Sequence, residues 1–166
     1  MSQTACPGCG ALLPVEDGPV HAYMTSSPAC WARYNVILAA EYSDADLMRV
    51  HRLSVDTFAI QHPGANTERR EIQSVGLHLA RLMFQLEGDL TPEATTNLML
   101  RMGERKSTLT ALQPPARFSI TTADVAPFAG GPKHAETVRE WARATFDDWS
   151  DHHAFIRRWA NDALGG

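Results

Sequence analysis

The chain has 166 residues, of which 44% are hydrophobic, 20% charged and 8% aromatic; this is the size of one domain, and the composition excludes a disordered tail, a collagen-like repeat or a low-complexity scaffold. Against 19 acidic residues stand 15 basic ones, 13 of them arginine, for a formal net charge of -4. No basic stripe of the kind that grips a phosphate backbone is present, so nucleic acid is not an expected partner.

The N-terminal stretch MSQTACPGCGALLPV carries neither a basic leader nor an apolar one, and the apolar run from Val36 to Ala40 is far short of the ~20 residues of a membrane span. A soluble, cytoplasmic protein without a membrane partner is the expectation. Three cysteines, all within the first 30 residues, make a poor disulfide framework but a good set of metal ligands. In Cys6-Pro7-Gly8-Cys9-Gly10, two residues between the thiolates let both sulfurs face one ion, and the glycines permit the tight turn. Ser27-Pro28-Ala29-Cys30-Trp31 reads as a helix start, with Ser27 as N-cap and Cys30 in the first turn, where the helix dipole favours a thiolate. A tetrahedral zinc needs a fourth ligand; His21 is the nearest histidine and the expected one, with Glu16, Asp17 or a solvent molecule as alternatives. One structural zinc is expected, fastening residues 1–30 to a helical body of residues 31–166 within a single domain.

Downstream, apolar residues recur at helical spacing. The first helix continues through Tyr42. Ser43 opens a second over about residues 44–62, which Pro63-Gly64 ends. A third covers about 67–87 and stops at Gly88, and Thr91-Pro92-Glu93 starts a fourth that runs to about Lys106. Residues 107–133, rich in proline and glycine, form a long irregular connection in which only Arg117 to Thr121 resembles a strand. From Lys133 the pattern is helical to the end, with a break at Ser150. The terminal Leu164-Gly165-Gly166 reads as a plain chain end rather than a conjugation tail. The fold class is all-α: a bundle of about five to six helices with a zinc-bound N-terminal knuckle. Trp31, Trp141, Trp149 and Trp159 fall among its core positions.

The chain has 7 histidines. His51 and His62 share a helix face but stand about 16 Å apart along it, so one ion cannot bridge them. An interhelical pocket can instead combine His51 and Asp56 with His78 and with His152 or His153, lining a cavity for a small molecule or a second metal. Core histidines bonded to backbone or to Asp56 are the plainer account. His62, in Gln61-His62-Pro63-Gly64, reads as a structural residue that caps the last carbonyls of its helix.

Together CPGCG, His21, SPACW, VHRLSVD and QHPG resemble an uncharacterised family of small bacterial proteins, a domain of unknown function. The resemblance continues through SVGLHL and WSDHH; Ala29 departs from the glycine expected before the helix cysteine. It implies that His21 and Cys30 belong to the same motif set as the knuckle, and that His51, Asp56, His62 and His78 are motif positions. It carries no activity. Two functions compete: a zinc-binding helical protein with a histidine-lined pocket, and a non-enzymatic, zinc-stabilised module that docks a protein partner.

Overall fold

Capping side chains and prolines set most of the helix boundaries. The computed structural model describes residues 2–165; Gly166, the end of the terminal diglycine, lies outside them. Helix α1, Pro28–Ser43, starts where Ser27 Oγ accepts the Cys30 N–H at 3.2 Å. It buries Cys30, Tyr34, Ile37 and Glu41, a stripe at spacings of four, three and four.

The second helix begins later than its periodicity suggests. The Asp44 carboxylate accepts the N–H groups of Asp46 and Leu47, at 2.8 and 3.4 Å, while the Ser43 hydroxyl turns back to the Ala39 carbonyl. The chain therefore tightens into a 3-10 turn, Leu47–Val50, before α2, His51–Gln61. Helix α3, Arg69–Glu87, opens on a reciprocal cap between Glu68 and Glu71; α4, Pro92–Gly103, opens on Thr91.

The connection after α4 is irregular but holds a 3-10 turn, Lys106–Thr108, the one-turn helix α5, Thr122–Val125, and a second 3-10 turn, Ala126–Phe128. Arg117 to Thr121 is not a strand. Its polar groups are taken by side chains: Ser119 donates from N and Oγ to the Asp148 carboxylate at 2.8 and 2.7 Å, and the Ile120 carbonyl accepts from Gln61 Nε2 at 2.7 Å. Helix α6, His134–Asp148, ends at the expected break, and the 3-10 turn Ser150–His152 leads into α7, His153–Gly165.

An element outside the all-helical expectation is a small antiparallel hairpin, β1 Gln3–Ala5 and β2 Leu12–Pro14, with Thr4 opposite Leu13. Three residues per strand are too few for alternation to show in the sequence. The hairpin flanks the CPGCG knuckle and holds its two ends together.

The molecule is thus an all-α bundle with a small N-terminal hairpin. Helix α2 sits at its centre, packed on α3, α6 and α1. Phe58, Ile60, Leu79, Leu82, Met83, Trp141, Trp149 and Ile156 are fully buried around it. Trp159 is also buried, whereas Trp31 is half-buried at the edge of α1. No helix among the described residues is long and apolar enough to cross a membrane.

Candidate metal centre

Three separate segments bring four donor groups together. The knuckle supplies Cys6 and Cys9, the first turn of α1 supplies Cys30, and the C-cap of α2 supplies His62; their ligand atoms all lie within 4.8 Å of one another and all four residues are buried. Cys9 Sγ and Cys30 Sγ are 3.7 Å apart, too far for a disulfide. His62 Nε2 lies 3.4 Å from Cys30 Sγ and 3.6 Å from Cys6 Sγ. A tetrahedron with zinc–sulfur bonds of about 2.3 Å and zinc–nitrogen bonds of about 2.0 Å has edges of about 3.8 Å between sulfurs and about 3.5 Å from sulfur to nitrogen. These three separations match those edges and the remaining pairs lie within 4.8 Å, so the four residues are placed to hold a single four-coordinate ion.

His21, the expected fourth ligand, is not in this group. Its Nδ1 accepts the backbone N–H groups of Tyr23 and Met24, at 3.3 and 3.2 Å, and its ring meets Tyr23 and Trp31 edge-on. Burial and the Arg70 charge both favour its neutral form, which suits an acceptor of two N–H groups. The carboxylate alternatives are also elsewhere: Glu16 pairs with Arg33 at the surface, and Asp17 is exposed.

His62 takes the place of His21 through the geometry that caps its helix. Pro63 ends α2, and His62 Nδ1 donates to the Phe58 carbonyl at 2.7 Å. That bond fixes the tautomer and leaves the Nε2 lone pair facing the sulfurs. The ring stacks on Phe58 at 3.9 Å, and Phe58 on Tyr34 at 3.8 Å. Gln61 anchors the same corner by donating to the Ile120 carbonyl and, at 2.9 Å, to Thr145 Oγ1. Gly8 lets the knuckle close on it: a Cβ there would overlap His62 Cδ2 and the Thr25 carbonyl oxygen and stand 2.9 Å from the Gln61 carbonyl oxygen.

The sulfurs are prepared for negative charge. The Ser27 N–H points at Cys6 Sγ at 3.4 Å, the Thr122 hydroxyl lies 3.1 Å from Cys30 Sγ, and Cys30 sits at the positive end of α1. Three thiols this close cannot all ionise unaided. Hydrogen bonds from Cys30 and Cys9 hold Cys6 well below the usual thiol range, making it the first to carry charge. Cys9 gains from its bond with Cys30, yet its contact with Cys6 and its burial push it up to about 12. The contacts of Cys30 with Cys6 and Cys9, and then its burial, push its thiol far up. A bound cation is what allows all three to be thiolates at once.

Of the five residues expected to line one histidine pocket, Asp56 and His78 meet, while His51, His152 and His153 lie elsewhere. Asp56, fully buried on α2, accepts from His78 Nδ1 at 2.6 Å, from Arg81 through both oxygens at 2.6 and 2.8 Å, and from Gln85 Nε2 at 2.5 Å, all on α3. His51 donates instead to Glu41 at 2.8 Å, and Glu41 also accepts from Ser54 and from His134 Nε2 at 3.2 Å. His152 and His153 lie at the α6–α7 break, where they donate to the carbonyls of Gln113 and Phe146 at 2.8 and 2.7 Å. His51, His152 and His153 each bond a partner outside the Asp56–His78 pair. Glu41 and His134 were invisible as members of a cluster because α1 and α6 meet only in the fold. A carboxylate on the apolar stripe of α1 was the available signal.

No curated protein and no solved structure matches the chain. Residues 4–150, a span that holds all four donor residues, match the model of a family of unknown function, DUF5946, and the chain belongs to that family.

Proposed function

We infer that the chain is a zinc-clamped helical protein that works as a non-enzymatic interaction module. One zinc held by Cys6, Cys9, Cys30 and His62 fastens the N-terminal hairpin and the loop behind it to α1 and to the end of α2. The convergence of four buried donors from three segments, with three of their separations at tetrahedral edge lengths, carries this reading. Three thiolates and one imidazole are a frequent structural zinc set, and four protein ligands leave no position for a substrate or water, so the role is structural. Three unpaired cysteines suit a reducing, cytoplasmic compartment.

The interaction role is supported by where apolar surface is exposed. Of the eight large apolar residues exposed among the described residues, five (Leu12, Val15, Val20, Val36 and Tyr42, at 49–69% exposure) belong to the clamped segment and the helix it is fastened to. Conversely, His51, Asp56, His78, His152 and His153 are engaged in local bonds, which favours the core-histidine account over a reaction site. Neither a nucleic acid nor a membrane suits the N-terminal face, since no lysine or arginine lies between Cys6 and Cys30.

The test is native mass spectrometry with NMR of the labelled protein before and after chelation. One zinc per chain is expected, and its removal should collapse the dispersed resonances of the first 30 residues while α3, α4, α6 and α7 keep theirs. A metal-free protein with the same spectrum contradicts the reading.

A further inference from the structure

Beside the metal centre, the loop of Glu16 to Pro19 stands off the first two turns of α1 and leaves a groove of about 370 Å³, within the ~300–1,000 Å³ range of ligand sites. Pro19, Pro28, Trp31 and Ala32 give it apolar walls; Glu16 and Asp17 lie on its rim. Val15 and Val20 bracket the loop and Val36 lies one turn beyond Ala32, so the groove is flanked by exposed apolar side chains.

Its charge selects the occupant. Residues 2–32 contain Glu16 and Asp17 and no lysine or arginine. The cation bonded at its rim is Arg33, whose guanidinium donates to Glu16 at 3.3 Å and to the Ala29 carbonyl at 2.9 Å; Arg70 stands over the Tyr23 ring, on the far side of His21. Among the described residues Asp17 has no such partner; it is an exposed carboxylate that lines the same groove as the half-buried indole of Trp31. An aromatic ring with an adjacent carboxylate favours a cationic side chain over a neutral or acidic one.

We propose that this groove docks a segment of a partner protein that places an apolar side chain against Trp31 and Pro28 and a neighbouring lysine or arginine against Asp17 and Glu16. This rests on the interaction-module reading and assigns the chemistry of the partner. The groove is tied to the metal centre by chain connection and by packing, because its loop runs between Cys9 and Cys30 and one of its walls, Trp31, packs on Phe58, which stacks on His62.

The test uses the metal-loaded, ¹⁵N-labelled chain titrated with the capped peptide acetyl-Ala-Leu-Lys-Leu-Lys-Ala-amide and with its glutamate-for-lysine counterpart; metal content is measured on the same samples. Saturable shifts of the Trp31 indole and the Ala32 and Asn35 amides are expected with the lysine peptide, at least ~10-fold tighter than with the glutamate peptide. Asp17→Asn should weaken the lysine peptide about 3-fold and reduce its salt dependence with metal content unchanged. Ala32→Arg, which places the chain's own cation in the groove, should abolish the shifts. Equal binding of the two peptides, or no shift at the groove in a chain that holds one metal, overturns the groove and leaves the clamp standing. A chain without metal overturns the clamp, and the groove is then decided by the peptide shifts alone.

Discussion

Two buried polar clusters of this molecule differ in how their charge is balanced. At Asp56, a fully buried carboxylate meets the Arg81 guanidinium, His78 and Gln85, so anion and cation are both on the chain. At Cys6, Cys9, Cys30 and His62, three thiols meet one imidazole, and among the described residues no lysine or arginine hydrogen-bonds to them. The first cluster is complete as translated. The second becomes so only with an added cation, and the difference separates a structural ion pair from a metal site more sharply than residue type does.

Variants can break that contrast from the metal side first. Cys6→Ser or Cys30→Ser should remove the ion and release the N-terminal segment, the largest effect expected, since structural zinc in small domains binds with an apparent free energy of about 10–16 kcal/mol; elemental analysis and thermal melting report it. On the other side, Asp56→Ala strands the Arg81 charge and should cost about 3–5 kcal/mol in urea unfolding without changing metal content. The double change Asp56→Leu with Arg81→Met should recover most of that loss. If Asp56→Ala instead sheds metal, the two clusters are not independent.

Smaller effects sharpen the comparison. Thr122→Val removes the hydroxyl beside Cys30 Sγ and should weaken metal affinity about 10-fold in a competition titration, the usual scale for a partner of a ligand. At the surface, Arg157 holds the Glu87 carboxyl below its ordinary 4.5 by hydrogen bonding and charge. Because the folded value is depressed, the pair stabilises above that pH and loses its contribution as the pH falls through the folded value. Melting temperatures of wild type and Glu87→Gln should therefore converge in acid, whereas a gap that widens there contradicts the assignment.

Much of this is legible in the amino-acid sequence. CPGCG and SPACW announce three of the four converging donors because tight turns and helix N-caps are local chemistry. The helices follow from periodicity, except where Asp44 draws the chain into a 3-10 turn and where three-residue strands are too short to alternate. His62 could be read only halfway. Its capping role is local and is observed, with Nδ1 on the Phe58 carbonyl; its ligand role depends on Nε2 meeting residues 56 and 32 positions away. His21 was closer in sequence, but its Nδ1 is used to close a turn. The same limit hid Glu41 and His134, whose meeting requires α1 and α6 to pack.

The most direct test of the central claim is metal analysis of the purified, untagged chain beside Cys6→Ser, His62→Ala and His21→Ala. The account predicts one zinc per chain in the wild type and in His21→Ala, none in Cys6→Ser, and loss or marked weakening in His62→Ala. Metal lost from His21→Ala but retained by His62→Ala, or no metal in any sample, contradicts it.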